Sequence, residues 1–103
     1  MHAPNGRGGH STNYAANSER LDYEIDFVKT GTYYVWILAW GFDGNDDSCH
    51  AGLDGEEIPT LVAMSGWSGS YEWNCDLMSL SDPPTFEFTS TGVHTLNIWV
   101  RED

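Results

Sequence analysis

The clearest pattern of hydrophobic and polar positions in this chain is the run LDYEIDF at residues 21–27. Its apolar members alternate without error with acidic ones: Leu21, Tyr23, Ile25 and Phe27 against Asp22, Glu24 and Asp26. A period of two predicts a β-strand with one face on a core and the other in water. The glycine-containing VKTGTY that follows has the length of a hairpin connection, so we expect the run from Tyr33 to pair antiparallel with this strand.

Short runs of the same kind, separated by turn residues, continue along the chain. SCHAGL (48–53) alternates Cys49, Ala51 and Leu53 against Ser48, His50 and Gly52, and it ends at an Asp54–Gly55 turn. A short strand near Glu57 and Ile58 should follow, with further strands at 70–74, 85–89 and 93–100. Since no segment has sustained helical periodicity, the pattern predicts an all-β fold, an antiparallel β-sandwich. Residues 1–19, rich in Gly, Asn and Ser, predict an arm or loop before a single domain at 20–103.

Charge narrows the classes of partner. Sixteen acidic residues against four basic ones give a net charge of −12, and such a field repels phosphate backbones and anionic membrane surfaces. We therefore expect no nucleic acid and no membrane as partner, and cations or neutral polar ligands instead. The amino terminus has no apolar secretory stretch, so the protein either stays inside the cell or has had its signal removed from this version. Cys49 and Cys75 suit either one disulfide or two thiols.

Five segments taken in order resemble a known group of proteins: LDYEIDF, GTYYVW, DDSCHAGLDG, the tryptophan at 73 and GVHTLNIWVRED. Over residues 14–103 the chain resembles galactose-binding-like jelly-roll modules. This group contains family 6 and family 35 carbohydrate-binding modules and accessory domains of bacterial polysaccharide-degrading enzymes. The resemblance implies a jelly-roll that binds glycans without catalysis, with relatives that are typically secreted.

The chain departs from these modules at both ends. They usually open with a strand whose Glu helps to hold a structural calcium, and they close, after the position of Arg101–Asp103, with one more strand that pairs near the first. This sequence lacks both segments. Because soluble proteins normally protect open sheet edges, we expect a partner chain to cover them.

The apolar run YYVWILAW (33–40) is the unusual feature of this acidic chain. In the register that the resemblance implies, the core-facing residues are Tyr33, Val35, Ile37 and Ala39. The outward residues are then Tyr34, Trp36, Leu38 and Trp40, on a face where antiparallel sheets usually carry polar side chains. These four could form a sugar platform, a self-association surface, or a face covered by the arm. A continuous apolar strip more often marks a protein interface, so we favour a homo-oligomer.

A ligand site is expected in the loops at one end of the sandwich. Tracing the hairpins alternately places the connections 10–19, 41–47, 61–70 and 90–92 there. Aromatic rings stack on sugar C–H faces, and carboxylates and amides bind hydroxyls. The candidate ligand-binding residues are Trp40, Phe42, Asp43, Asn45, Asp46, Asp47, Trp67 and Tyr71, with Tyr14 nearby. For Trp67 a buried position is an equal alternative, and for Trp73 burial is the favoured interpretation.

Metal and catalytic chemistry have weaker signals. Asp43, Asn45, Asp47 and Asp54 fall at calcium-loop offsets, but Ser48 stands where that loop needs glycine. We predict no cofactor beyond a weakly held calcium ion. Carboxylate pairs such as Asp43, Asp47, Glu72 and Asp76 are expected by chance in so acidic a chain, so we predict no enzyme activity. Of the histidines His2, His10, His50 and His94, the last two match scaffold positions of the resembling modules.

Overall fold

The structure, a computed structural model, describes residues 13–42, 48–77 and 85–101, and of Asp76, Leu77 and Val100 it describes the backbone alone. These residues form one helical turn, α1 (Tyr14–Asn17), one 3₁₀ turn (Pro59–Leu61) and ten strands. The strands are β1 (Arg20–Phe27), β2 (Gly31–Tyr34), β3 (Ile37–Ala39), β4 (Ser48–Leu53), β5 (Glu56–Glu57), β6 (Met64–Ser65), β7 (Glu72–Asn74), β8 (Asp76–Leu77), β9 (Thr85–Phe88) and β10 (Gly92–Val100). The strand pairings are antiparallel, which confirms the predicted all-β antiparallel fold.

The strands form one large sheet and two small ones. The large sheet has the order β1-β10-β4-β6-β8, with β5 also on β4, and the small sheets are β2-β9 and β3-β7. Phe27 of β1 and Ala51 of β4 share one buried cluster with Val35, Phe86 and Phe88 of the β2-β9 side. The core therefore lies between the large sheet and the small sheets, as in a β-sandwich.

The pairing predicted for the first strand is wrong. β1 pairs with β10 from Arg20↔Trp99 to Phe27↔Gly92, whereas β2 pairs with β9. Residues 28–30 thus connect the two layers of the sandwich, and the Phe27 and Tyr33 rings meet edge-on across the core at 5.1 Å between centroids. Each strand can bury its apolar face against the other only when the two lie in opposite layers.

The inward face of β1 is less buried than its pattern predicts. Phe27 is buried, as expected, and Leu21 is half-buried. Tyr23 and Ile25 share this face but are 49% and 36% exposed. The prediction that both lie in the core is wrong, because β1 is the outermost strand of the described sheet and no neighbouring strand covers its other side.

The Asp54–Gly55 turn between β4 and β5 is confirmed. Both residues have positive φ, 53° and 82°, as a two-residue hairpin turn of type I′ requires. The backbone N–H of Gly55 donates to Oδ1 of the buried Asn97 (2.7 Å), and Nδ2 of Asn97 donates to Oδ1 of Asp22 (2.7 Å). One amide side chain therefore links the turn to β10 and β1.

One part of the large-sheet face that points away from the core is covered by α1. Trp99 and His50 lie opposite each other in the β10–β4 register, one position from the core residue Ala51. The Tyr14 ring stacks on His50 at 3.8 Å and meets the Trp99 ring at 5.4 Å between centroids. The prediction that Tyr14 lies near a ligand is therefore wrong. Residues 1–12 of the predicted arm lie outside the described residues.

Cys49 and Cys75 are thiols that no disulfide joins. Cys49 of β4 lies opposite Met64 of β6, and Met64 lies opposite Leu77 of β8. Two strand spacings, about 10 Å, therefore separate the segments that carry the cysteines, whereas a disulfide needs Cα atoms within about 7 Å. Burial raises the pKa of the Cys49 thiol to about 12.

Candidate functional site

The run 33–40 has the inward and outward positions that were predicted. Val35 is buried, and Tyr33, Ile37 and Ala39 pack against the core cluster. The four outward residues are all exposed: Tyr34, Trp36, Leu38 and Trp40. The run is divided into β2 and β3, since Val35 and Trp36 belong to neither strand.

Strand β7 extends this exposed face sideways. In the β3–β7 register Leu38 lies opposite Trp73 and Ala39 lies opposite Glu72, which places Trp40 next to Tyr71. The rings of Trp40 and Tyr71 are 5.8 Å apart between centroids and inclined by 51°. We define the aromatic face as Tyr34, Trp36, Leu38, Trp40, Tyr71 and Trp73.

Trp73 has the opposite of its expected role, and Trp67 adopts the buried one of its two alternatives. Trp73 is 64% exposed, because it shares a face with Leu38, so the prediction that it fills the core is wrong. Trp67 is 3% exposed and belongs to the core cluster. Its Nε1 donates to the carbonyl oxygen of Glu72 (3.1 Å), so the indole joins the loop after β6 to β7. A ring enclosed in this way has no free face for a sugar, and Trp67 is removed from the candidate ligand site.

The predicted ligand loops are joined at one point. The backbone N–H of Gly69 donates to the carbonyl oxygen of Gly41 (2.7 Å), so the segments after β3 and before β7 lie together. The Glu72 carboxylate accepts a hydrogen bond from the backbone N–H of Ser68 (2.8 Å), which links the segment before β7 to the first residue of that strand. Trp40 and Tyr71, 54% and 73% exposed, lie at this edge of the aromatic face.

The other residues and connections predicted to form the ligand site have three different outcomes. Phe42 is exposed next to the joined segments. Asp43, Asn45, Asp46 and Asp47 lie outside the described residues, and so does most of the 76–84 connection. The 90–92 connection is at the other end of the sandwich, because Gly92 pairs with Phe27. Its assignment to the ligand end is therefore wrong.

The histidines in the described residues hold turns and strand ends. Nδ1 of the buried His50 accepts from the backbone N–H of Ala63 (2.9 Å), a residue with a left-handed φ of 58°. Nδ1 of His94 lies 2.7 Å from Oδ2 of Asp54. The hydrogen bond from His94 and that from the backbone N–H of Thr95 lower the pKa of Asp54. His2 and His10 lie outside the described residues.

The described part of the chain has neither a cluster of metal ligands nor a membrane-spanning helix. No three His, Cys, Asp or Glu side chains within residues 13–42, 48–77 and 85–101 are placed to hold a metal ion. Of the positions proposed for weak calcium, Asp43, Asn45 and Asp47 lie outside those ranges. Asp54 lies within them, and its carboxylate bonds to His94 and to the backbone N–H of Thr95. The same part of the chain has no helix long and apolar enough to cross a membrane.

No protein-family model matches the chain, and no characterised protein or solved structure is significantly similar to it. The resemblance to galactose-binding-like modules therefore stays a prediction from motifs. The fold and the site together define an acidic all-β sandwich with an aromatic face along β3 and β7.

Proposed function

We propose that the protein binds carbohydrate without catalysis, and that the ligand lies at the Trp40–Tyr71 end of the aromatic face. The observation that carries this proposal is the cross-strand pair of rings, both more than half exposed and 5.8 Å apart. Aromatic faces pack on the C–H faces of pyranose rings, so adjacent exposed rings can hold adjacent sugar units.

The geometry of the pair favours a particular kind of glycan. The planes of Trp40 and Tyr71 are inclined by 51°, so the two rings suit a chain whose successive sugars are rotated relative to each other. A flat crystalline surface would need coplanar rings. The net charge of −12 repels polyanions and therefore favours neutral glycans.

Polar groups for the hydroxyls are proposed from the segment that follows Phe42. Asp43, Asn45, Asp46 and Asp47 supply carboxylates and an amide, the usual partners of sugar hydroxyls. On this proposal the rings provide stacking, and the acidic segment provides orientation.

The test is a titration of the intact chain with soluble xylan, mannan and β-glucan, and with pectin as the acidic comparison. Binding is followed by tryptophan fluorescence and calorimetry. Trp40→Ala and Tyr71→Ala should each weaken binding of the preferred neutral glycan about tenfold, or about 1.4 kcal/mol. Tyr23→Ala, which removes an exposed ring from the opposite sheet, should bind like the parent. Flat titrations with every polysaccharide, or parental affinity in both ring variants, would contradict the proposal.

Self-association through the aromatic face is the second candidate, and a specific observation favours it. Leu38 and Trp73 lie side by side in the middle of the face, which has no charged member among its six residues. Uninterrupted apolar surface is typical of subunit contacts. On this proposal Tyr34, Trp36, Leu38 and Trp40 are buried against a second copy.

Sedimentation velocity distinguishes the two candidates. For self-association, the parent should sediment as an oligomer, and Trp36→Arg and Leu38→Arg should each reduce it to the mass of one chain. A parent of single-chain mass at tens of micromolar would remove this candidate. If both activities exist, glycan should dissociate the oligomer, because both need Trp40.

A further inference from the structure

Strand β1 has an open edge. In the large sheet it pairs with β10 on one side, and no strand of the described residues pairs with its other side. In such an eight-residue strand, alternate backbone N–H and C=O groups point away from the neighbouring strand. β1 therefore presents a row of hydrogen-bonding groups to an incoming strand.

An apolar cleft lies beside this edge. It has a volume of about 410 Å³ and runs between the second half of β1 and the segment that follows residue 32, and its lining includes Ile25, Val28, Tyr33, Val35 and Leu96. Ile25, on the inward face of β1, is 36% exposed at this place. Tyr23, on the same face of the strand, is 49% exposed. This apolar surface is left uncovered by the described residues. A strand added at the edge would bury it with its own apolar side chains.

The acidic outward face of β1 determines which charges favour binding of an added strand. Asp22, Glu24 and Asp26 are exposed there, and the residues opposite Glu24 and Asp26 on β10 are the uncharged Thr95 and Val93. Asp22 is held by Arg20, with 2.8 Å between Nε and Oδ1. A second copy of β1 placed antiparallel would bring acids against acids, which is destabilising. Lysine or arginine at these positions would instead pair with Glu24 and Asp26.

We propose that the β1 edge accepts an extended segment of a partner protein in which apolar residues alternate with Lys or Arg. The segment adds a strand to the large sheet, as in other complexes formed by β-augmentation. Its apolar side chains fill the cleft, and its basic side chains lie beside Glu24 and Asp26. The cleft shares Tyr34 and Trp36 with the aromatic face but does not include its Trp40–Tyr71 end, so the inference does not depend on glycan binding.

The experiment uses three capped eight-residue peptides at low ionic strength: KVKVKVKV, EVEVEVEV and the block sequence KKKKVVVV. Binding to the intact chain is measured by fluorescence anisotropy, and the contact is located by residue-resolved amide hydrogen exchange. The alternating Lys peptide should bind at least tenfold more tightly than the other two, and it should slow the exchange of alternate amides in β1.

Charge-reversal variants test the register of the contact. The double variant Glu24→Lys/Asp26→Lys should prefer the alternating Glu peptide. The control Glu56→Lys/Glu87→Lys changes the net charge equally at exposed positions on other strands and should keep the parental preference. If the first double variant does not fold, Asp26→Lys alone is measured in the same way and should reduce the preference.

Four results would overturn the proposal. Exchange in β1 could be unaffected by any peptide, or the two double variants could behave alike, which would indicate unspecific charge attraction. The amides on the open edge of β1 could already exchange slowly in a monomeric chain without peptide, which would show that the chain covers its own edge. Slow exchange in a dimer without peptide would identify a second copy as the occupant.

Discussion

Replacing Tyr14 by phenylalanine should stabilise the protein, although this ring lies at the centre of a buried contact. Tyr14 is 2% exposed and packs against His50 and Trp99, but its hydroxyl has no hydrogen-bond partner in the part of the chain that the structure describes. A buried hydroxyl without a partner costs about 1–3 kcal/mol. Phenylalanine keeps the ring contacts and removes that cost, so we expect a gain of about 1 kcal/mol, which raises the Tm by about 4 °C in a chain of this size.

The matched variant Tyr14→Ala separates the ring from its hydroxyl. It should lose about 3–5 kcal/mol, because it removes the aromatic contacts and leaves a cavity over the sheet. That is a large part of the 5–15 kcal/mol typical of a whole domain. Urea unfolding followed by tryptophan fluorescence and circular dichroism measures both variants. If the free energy of unfolding depends equally steeply on urea concentration in both, the difference lies in the folded state.

Alkaline pH gives an independent check on the same residue. Burial, with a smaller contribution from the Glu57 charge, raises the pKa of Tyr14 from 10.0 to about 12. The unfolded chain therefore loses this proton first, and the stability that depends on it is complete below about pH 10 and is lost as the pH rises towards 12. Tyr14→Phe should lack this loss. The reasoning would be refuted if Tyr14→Phe were less stable than the parent at pH 7, or if Tyr14→Ala unfolded at the parental urea concentration.

Three further predictions concern other parts of the sandwich. Gly52→Ala should destabilise by about 1–3 kcal/mol in urea, because a Cβ there would clash with the backbone carbonyl oxygen of Glu56 and lie 2.6 Å from the Trp99 ring. Asp54→Asn should lower stability at pH 7 by less than about 1 kcal/mol, since the Asp54–His94 pair is exposed. Folding lowers the pKa of Asp54, so this difference should be present above about pH 4 and disappear as the pH falls through the folded value. Cys49 should resist a thiol reagent at pH 8 in the folded chain and react in denaturant, because its pKa is raised to about 12.

Each of these three predictions has an outcome that would contradict it. Parental stability of Gly52→Ala would show that the indole and the neighbouring backbone can move aside. Glu56→Gln, an exposed neighbour of the turn, should keep nearly the parental stability at pH 7, and a loss equal to that of Asp54→Asn would remove the special role of Asp54. Rapid modification of Cys49 in the folded chain would contradict the raised pKa of its thiol.

The candidate site could be predicted only in part. The alternation from Tyr33 to Trp40 identified the outward rings correctly, because the direction of a side chain in a strand depends only on its position along the strand. The same reasoning cannot assign Trp67, which stands in a glycine-rich loop, and the expectation that Trp73 is buried did not follow from it. Trp73 is exposed because its cross-strand neighbour is Leu38, and Trp67 is buried because its indole reaches the backbone of Glu72. A period-two reading of 71–74 from Tyr71 would have placed Tyr71 and Trp73 on one face.

The sequence by itself determined the fold class, the Asp54–Gly55 turn and the positions of the longer strands. These depend on local properties: the period of two, the left-handed φ that the turn demands, and the lack of helical periodicity. Tertiary structure alone decided that β1 pairs with β10, that Tyr14 covers His50 and Trp99, and that Tyr23 and Ile25 stay half-exposed. These features depend on which distant segments meet, since strand pairing buries whole faces at once and no single segment carries that information.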